Sequence, residues 1–348
     1  MSDGHDSIFL KNLRGEPTTR VPIWVMRQAG RYLPEYQQVR RGYSFDQLCR
    51  TPEAACEVTL QPIRRFGFDA AIMFSDILTP LAPMGAPFRF GDGGPKLERP
   101  IRHEDDIRAL RTYPAQEGTG FVAQAIGLMK KELGAKTPLI GFAGSPFTLA
   151  TYLIEGGGSR NYENLKTMLY SRPALLDELM TKLTDQTIAY LNLQVDAGVD
   201  AVQVFDTWGG ILHPQDYARV ILPCVQRIMG SLAGRGVPRI YFLKGNAPYL
   251  DLIRQIDCEA MGVDWTLDLG DAAAALPNHA LQGNLDPLVL YGDHAQIRRR
   301  ALDICRQGAA TRGHVFNLGH GILPQTPIDA VHALVETVQG FRRRTETP

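Results

Sequence analysis

Two arginines four residues apart give the clearest chemical signal in this sequence. Arg27 and Arg31 follow the apolar segment 21–26, and Gly30 lies between them. Residues four apart lie on one side of a helical turn, and a glycine lets a ligand or another backbone approach closely. A guanidinium group binds a carboxylate or phosphate through two parallel hydrogen bonds. The pattern therefore indicates an anion-binding site, and pairing with an acidic core residue is the structural alternative for either arginine.

Polar residues recur where apolar runs of the sequence end, and they are scarce where those runs begin. Asp76 follows the run 70–74, where a carboxylate either caps a turn or belongs to a functional site. Burial would raise its pKa and a neighbouring arginine would lower it, and the sequence leaves that balance open. The asymmetry indicates an enzyme. The other polar residues at such ends are Ser75, Ser145, Asp206, Thr207, Lys244, Asn246, Asp264, Asp268, Asn284, Asp286 and His320.

Three side chains, two of them from this list, could take part in chemistry. For each we state the chemical role together with its alternative. Tyr152 lies in a predicted helix, where a tyrosine more often packs in the core. His320, between two glycines, could donate to a carboxylate or titrate near neutral pH, or it could be a satisfied structural histidine. Lys244 raises the alternative of Schiff-base chemistry.

Composition and charge limit the classes of function. The formal net charge of the 348 residues is zero, so no global basic field attracts nucleic acid or an anionic membrane. The sequence contains no nucleotide-binding P-loop, no zinc-protease motif, no serine nucleophile elbow and no evident metal cluster. We therefore expect no nucleic-acid or membrane partner and no metal, and local arginines must capture an anionic ligand.

The cysteines and the N-terminus favour the cytoplasm. The five cysteines are widely spaced and odd in number, which is typical of free thiols in a reducing compartment. The N-terminal stretch has early acidic residues and no long apolar core, so it does not resemble a signal peptide. The longest uncharged stretch, 137–154, is interrupted by proline and glycine and predicts a strand, a turn and a helix start.

Apolar runs alternate with amphipathic segments along the whole chain. This alternation predicts a single α/β domain over 1–348, folded as a closed (β/α)8 TIM-type barrel with its active-site cleft at the C-terminal ends of the strands. An open doubly wound sheet is the alternative, but no Gly-x-Gly-x-x-Gly follows a predicted strand. The Gly- and Pro-rich segment 83–101 predicts a long loop or a small hairpin. The predicted strands are 20–26, 68–76, 137–144, 199–207, 237–245, 261–268, 279–287 and 314–321.

Taken together, six segments are similar to the uroporphyrinogen decarboxylase family and occur in the order found there. They span residues 22–327, nearly the whole chain, and the arginine segment and FSDILTP are highly specific. The matching segments are PIWVMRQAGRYLPEY, AAIMFSDILTPLAPMG, GFAGSPFTLATYLIEGGGS, VFDTWGG, QGNLDP and FNLGHGILPQTP.

The resemblance implies an activity as well as a fold. It implies a single (β/α)8 barrel that forms a homodimer and decarboxylates the four acetate side chains of uroporphyrinogen III. The product would be coproporphyrinogen III, in the synthesis of haem or chlorophyll. No metal or organic cofactor is expected, because a protonated pyrrole of the substrate can itself accept the electrons that loss of CO2 leaves behind.

The resemblance also implies the site. Asp76 would be the catalytic carboxylate, which accepts hydrogen bonds from pyrrole N–H groups and stabilises the positive charge of a protonated pyrrole. Arg27 is nearest to the general acid by family analogy, although the proton donor stays open. Thr207 stands where some relatives carry serine, a change that keeps a hydroxyl. The implied substrate-binding residues are Arg27, Gln28, Ala29, Gly30, Arg31, Asp76, Tyr152, Thr207 and His320.

Two other functions stay open at this point. A methyltransferase of the same barrel superfamily would hold zinc through histidine and cysteine, but this sequence has no His-x-Cys pair. A non-catalytic porphyrin-binding protein could use the same residues for binding alone. A zinc assay separates the first from a decarboxylase, and a turnover assay separates the second.

Overall fold

The computed structural model describes residues 7–91 and 93–342. The first residues of the N-terminal stretch, 1–6, and the last residues of the predicted domain, 343–348, lie outside the described part. No helix in the described part is both long enough and apolar enough to cross a membrane.

A parallel sheet of seven strands forms the centre of the molecule. Its strands, which start at residues 71, 139, 201, 239, 260, 280 and 314, follow one another in chain order, and every neighbouring pair is parallel. A doubly wound sheet would reverse its strand order at a switch point, so that alternative is wrong. The strands are β1 (Ala71–Ile72), β2 (Phe88–Gly91), β3 (Gly94–Leu97), β4 (Leu139–Gly144), β5 (Ala201–Asp206), β6 (Arg239–Leu243), β7 (Ala260–Gly262), β8 (Ala280–Leu285) and β9 (His314–Leu318).

Helices connect and cover the strands of the sheet. Every residue of β4, β6, β8 and β9 is buried, as expected for a parallel sheet covered on both faces. The helices are α1 (Ile8–Arg14), α2 (Pro34–Arg40), α3 (Phe45–Arg50), α4 (Pro52–Phe66), α5 (Glu104–Ala109), α6 (Ala115–Leu133), α7 (Pro146–Glu155), α8 (Glu163–Ser171), α9 (Pro173–Asp196), α10 (Pro214–Val220), α11 (Leu222–Ser231), α12 (Leu250–Ile253), α13 (Leu269–Ala275), α14 (His294–Gln307) and α15 (Ile328–Gly340).

The first predicted strand, 20–26, is not a regular strand. It lies beside β9 through a single parallel bridge between Ile23 and Phe316. The Asp69 N–H donates to the Ile23 carbonyl at 2.8 Å, and the Asp69 carboxylate accepts from the Ile23 N–H at 2.8 Å. Because a side chain takes this donor and Pro22 has none, a regular ladder cannot form. The prediction of eight strands in the parallel sheet is therefore corrected to seven regular strands among the described residues.

The segment 83–101 contains the predicted hairpin, in which β2 and β3 pair antiparallel. The hairpin packs beside the loop after α7, because the Leu97 N–H donates to the Gly156 carbonyl at 2.8 Å. Two residues of β3, Gly94 and Pro95, reach the cleft described below. The hairpin therefore forms one wall of that cleft.

Candidate functional site

An open cleft of about 470 Å³ lies at the C-terminal ends of the parallel strands. This volume is in the range of small-molecule sites. Two arginines, a carboxylate and several other polar groups line it together with many apolar side chains. The polar lining side chains used below are Arg27, Arg31, Asp76, Thr207 and His320, and the main aromatic ones are Phe45, Phe74, Phe90, Phe142, Phe205 and Phe242.

The loop that carries the arginines is fixed to the end of β9. The Met26 N–H donates to the Asn317 side-chain oxygen at 3.0 Å, and the Ile322 N–H donates to the Met26 carbonyl at 2.9 Å. Directly after this anchor, Arg27 has a φ of +61°. Positive φ is uncommon for a residue other than glycine, and it clusters at functional sites.

The two guanidinium groups are available to a ligand. Arg27 and Arg31 are exposed, and neither makes an ion pair with any residue in 7–91 or 93–342. The Arg27 side chain lies over Gly321, where a Cβ atom would come within 2.4 Å of the Arg27 Cδ. Glycine at 321 therefore makes room for the arginine.

Gln28, Ala29 and Gly30 have different positions although they are consecutive. Ala29 and Gly30 line the cleft. Gln28 is fully buried, and its side chain accepts from the Val25 N–H at 3.3 Å and donates to the Ala70 carbonyl at 3.1 Å. Its amide therefore holds the loop against the start of β1 and points away from the cleft wall.

Asp76 faces the arginine loop from the segment after β1. One carboxylate oxygen accepts from the Leu78 N–H at 2.8 Å. Burial raises the pKa of Asp76 to about 6, and the Leu78 hydrogen bond and the Arg27 charge only partly oppose that rise. The sequence left the balance of these effects open, and in the structure burial has the larger effect on the Asp76 pKa. The carboxylate therefore titrates close to neutral pH.

His320 lies in the loop after β9, beside the same arginine. Burial, together with the positive charges of Arg27 and Lys244, lowers the pKa of His320 to about 3. The imidazole is therefore neutral at physiological pH, and it offers one donor and one acceptor nitrogen. Its ring centroid lies 6.2 Å from that of Phe242.

Thr207 lines the cleft directly, whereas Tyr152 lies behind that lining. The Tyr152 ring packs edge-on against Phe88 at 6.4 Å. Burial raises the pKa of Tyr152, a hydrogen bond with Trp208 lowers it, and the charges of Asp76 and Arg27 also act on it. Tyr152 is therefore close enough to the site for its pKa to respond to these charges, although it does not line the cleft.

Most other polar residues at strand ends serve the fold. Asp268 and Asp286 accept hydrogen bonds from the first turns of the helices that follow them. Asp264 accepts from the N–H and hydroxyl groups of Thr266 and from the Gly245 N–H. These carboxylates satisfy backbone donors, which is the capping role that the sequence could not separate from function.

Asp206, at the end of β5, is completely buried. It accepts from the Thr148 hydroxyl at 2.7 Å, the Tyr241 hydroxyl at 2.9 Å and the Gly209 N–H at 3.1 Å. The Tyr217 and Tyr241 hydroxyls lie 2.9 Å apart. Since Tyr241 gives its proton to Asp206, Tyr217 donates to Tyr241. The carboxylate is thus enclosed in a protein network.

An aromatic floor of the cleft was not predicted from the sequence. Phe142, Phe205 and Phe242 come from the neighbouring strands β4, β5 and β6, and successive ring centroids lie 5.6 and 6.0 Å apart. One phenylalanine near the C-terminal end of each of three predicted strands was the available signal. The floor can bury the apolar body of a ligand whose charged groups reach the arginines.

No group of three or more His, Cys, Asp or Glu side chains in the described ranges is arranged to hold a metal ion. The site therefore presents cations, a carboxylate of raised pKa, a neutral imidazole and an aromatic floor. It defines an α/β protein whose cleft combines positive charge with an aromatic floor.

The chain belongs to the uroporphyrinogen decarboxylase family. The model of that family, described as "Uroporphyrinogen decarboxylase (URO-D)", matches residues 5–341. A relative from Myxococcus xanthus named uroporphyrinogen decarboxylase is 48% identical over 331 residues, which are 95% of each chain. One of the same name from Trichlorobacter lovleyi is 45% identical over 337 residues, 97% of this chain and 99% of that one. The family resemblance predicted from the motifs is confirmed.

A solved structure shares the fold at much lower sequence identity. A methyltransferase from Methanosarcina mazei is similar with a TM-score of 0.82 at 20% identity, covering 96% of this chain and 97% of that one. At this identity the likeness concerns the fold alone.

Proposed function

We propose that this chain decarboxylates the four acetate side chains of uroporphyrinogen III without a metal or organic cofactor, giving coproporphyrinogen III in haem or chlorophyll synthesis. One observation carries the proposal: Asp76, with a pKa of about 6, shares one cleft with two unpaired arginines and an aromatic floor. The name of the relatives, which are 45–48% identical over nearly the whole chain, supports the same reaction.

The arginines are assigned to substrate carboxylates. Uroporphyrinogen carries eight carboxylates on a flexible macrocycle, so an exposed guanidinium without a protein partner suits it. Arg27 and Arg31 bind those groups, and the backbone at Ala29 and Gly30 approaches the macrocycle closely. Because Gln28 is buried, its part in substrate binding reduces to holding this loop in place.

Asp76 is assigned to the pyrrole N–H groups and to the charge that develops there. A proton first adds to a pyrrole carbon and leaves a cationic ring. The bond from the acetate methylene to its carboxylate then breaks, CO2 leaves, and the electron pair neutralises the ring. A second proton converts the methylene to a methyl group, and the ring carbon loses the first. A fixed carboxylate beside the cationic ring lowers the barrier.

The remaining polar residues are assigned to orientation. Thr207 and neutral His320 offer hydrogen bonds to the carboxylates or N–H groups of the substrate, and Tyr152 supports Trp208 behind the cleft wall. The proton donor is left unassigned among the substrate carboxylic acids, water and Arg27. An arginine is the poorest acid of these at its ordinary pKa.

We also propose that segment 21–26 acts as an eighth strand and completes a (β/α)8 barrel. Its supports are the Ile23–Phe316 bridge and the hydrogen bond from Asp69. A homodimer in the cytoplasm is proposed from family resemblance. None of the five cysteines forms a disulfide, which is compatible with a reducing compartment.

The test is anaerobic incubation of the purified protein with uroporphyrinogen III, without added metal or cofactor. The products are oxidised and separated by chromatography, and Asp76→Asn serves as the matched control. Hepta- to tetracarboxylate porphyrins from the wild type alone are expected. Unchanged substrate from folded, concentrated wild-type protein would overturn the proposal, and metal analysis with a porphyrinogen-binding titration would then test the methyltransferase and binding-only functions.

A further inference from the structure

We propose that Lys244, held between Trp208 and Trp265, binds an additional carboxylate of the porphyrinogen at the edge of the cleft. The inference rests on the proposed function, because it assigns part of the same substrate. It adds a third cation to Arg27 and Arg31 and extends the site beyond the residues that line the cleft.

The position of Lys244 follows from strand geometry. Phe242 in β6 lines the cleft floor, and alternate residues along a strand face the same side. Lys244 stands two residues later, just past the strand end, and its N–H donates to the Asp206 carbonyl at 3.2 Å. It therefore continues the floor of the cleft outward to its rim.

Two indole rings fix the direction of the ammonium group. The Lys244 Nζ lies 5.7 Å from the ring centroid of Trp208 and 6.0 Å from that of Trp265. Such contacts attract a cation to the ring face, and they also limit the freedom of a long side chain. Trp208 directly follows Thr207, which lines the cleft, so the cation is held next to the substrate site.

The ammonium has no anionic partner in the described part of the chain. No Asp or Glu there forms an ion pair with Lys244, in contrast to Lys130, which pairs with Asp200, and Lys182, which pairs with Glu178. Asp264, after the neighbouring strand β7, is occupied by hydrogen bonds from Thr266 and Gly245. A cation oriented by two aromatic rings and left unpaired is suited to an anion from outside the chain.

The charge of Lys244 is felt inside the cleft. It contributes, together with Arg27, to lowering the pKa of His320, whose ring is part of the cleft lining. A porphyrinogen carries more carboxylates than two arginines can bind. A lysine acts as a point charge on a flexible stem, so it can follow a carboxylate as the macrocycle rotates between reactions.

The backbone around Lys244 is also fixed closely. A Cβ atom at Gly210 would come within 2.1 Å of the Lys244 carbonyl oxygen, so only glycine permits this approach. Gly245 follows with a φ of +74°, a conformation that glycine adopts without strain. The loops after β5 and β6 are thereby held together, and they bring Trp208 to the lysine.

The test compares steady-state kinetics of the full-length wild type with Lys244→Met and Lys244→Arg on uroporphyrinogen III under anaerobic conditions. Lys136→Met is the matched control, because Lys136 is exposed and precedes β4, at the opposite end of the sheet. Tryptophan fluorescence during titration with uroporphyrinogen III gives a second measurement that does not need turnover. Circular dichroism and thermal unfolding of each variant check the fold.

We expect Lys244→Met to raise KM and the apparent Kd about tenfold, the effect of one lost charged hydrogen bond. We expect kcat to change less than about twofold, Lys244→Arg to restore most of the affinity, and Lys136→Met to match the wild type. An unchanged KM and Kd in folded Lys244→Met would overturn the inference. A wild type that binds but does not convert the substrate would sink the proposed function instead, and the titration would still judge Lys244.

Discussion

Asp76 follows β1 and Asp206 is the last residue of β5 in the same parallel sheet, yet their carboxylates have different surroundings. Asp76 accepts one protein hydrogen bond, from the Leu78 N–H, and its side chain lines the cleft. Asp206 accepts three, from Thr148, Gly209 and Tyr241, and is fully buried. Burial raises the pKa of each.

The two carboxylates differ in the groups that surround their remaining hydrogen-bond acceptor positions. An ionised carboxylate has about four lone-pair positions. Those of Asp206 are largely filled by protein donors, so it can hold the loops after β4 and β5 but cannot serve a ligand. Among the described residues only the Leu78 N–H donates to Asp76, and the carboxylate lines the open cleft. Unfilled hydrogen-bond acceptor positions in a cleft, rather than the residue type or its place on a strand, distinguish Asp76 from Asp206.

The largest expected effect is a loss of turnover when Asp76 is substituted. Asp76→Asn should lower kcat about a thousandfold, as the loss of a group that stabilises transition-state charge does. Its unfolding free energy above pH 6 should be equal to or higher than that of the wild type, because the ionised form is disfavoured by burial. Assays and chemical denaturation of the same preparation check both. A variant with near wild-type turnover would remove Asp76 from the reaction.

The second effect is on stability at the other carboxylate. Asp206→Asn should lower the unfolding free energy by about 3 kcal/mol, because an amide N–H2 would face hydroxyl and N–H donors that need an acceptor. The kcat of the folded fraction should stay within about threefold of the wild type. Urea denaturation and active-site titration measure these separately. If Asp206→Asn lost turnover and kept its stability, the structural role of Asp206 and its contrast with Asp76 would be contradicted.

The third effect is on the pH dependence of kcat/KM. Asp76 must be ionised to stabilise a cationic pyrrole, so kcat/KM should fall about tenfold per pH unit below a midpoint near its pKa of about 6. His320, with a pKa of about 3, should add no transition between pH 5 and 8. The His320→Asn variant should therefore keep the midpoint, and a midpoint that moves with this substitution contradicts the assignment.

The smallest effect tests one donor of the buried network. Thr148→Val removes the hydroxyl that donates to Asp206 at 2.7 Å and keeps the shape of the side chain. The same hydroxyl accepts from the Trp208 N–H at 3.2 Å, so the variant loses two hydrogen bonds. The unfolding free energy should therefore fall by about 2 kcal/mol, at about 1 kcal/mol for each bond. Thr337→Val is a control, since the Thr337 hydroxyl only bonds its own helix. Equal losses in both would mean that the network around Asp206 has no special strength.

The alternation of apolar runs and amphipathic helices predicted most of the fold. Prolines near helix starts are one such signal. The structure begins α4 at Pro52, and it separates α10 from α11 at Ile221, two residues before Pro223. The predicted strands 68–76 and 261–268 were too long. Hydrophobic pattern marks burial, whereas regular pairing also needs free backbone donors, and the Phe74 N–H is taken by the Thr59 hydroxyl.

The site was harder to predict than the fold. The arginines and Asp76 could be identified from their types and from the family motifs, and the structure brings them into one cleft. The direction of the Gln28 side chain, away from the cleft, could not be predicted from the sequence, because consecutive residues of an irregular loop follow no fixed periodicity. The sequence also could not show whether burial or the Arg27 charge has the larger effect on the Asp76 pKa, since both depend on positions in three dimensions.

The contact between Arg27 and Gly321 has a consequence for how the protein is made. These residues are almost three hundred positions apart, and the arginine loop is anchored by Asn317 and Ile322 near the other end of the chain. During synthesis on a ribosome, the first arginine emerges long before the residues that position it. A chain released early therefore lacks the completed cleft, and only a finished chain acquires the capacity to hold substrate.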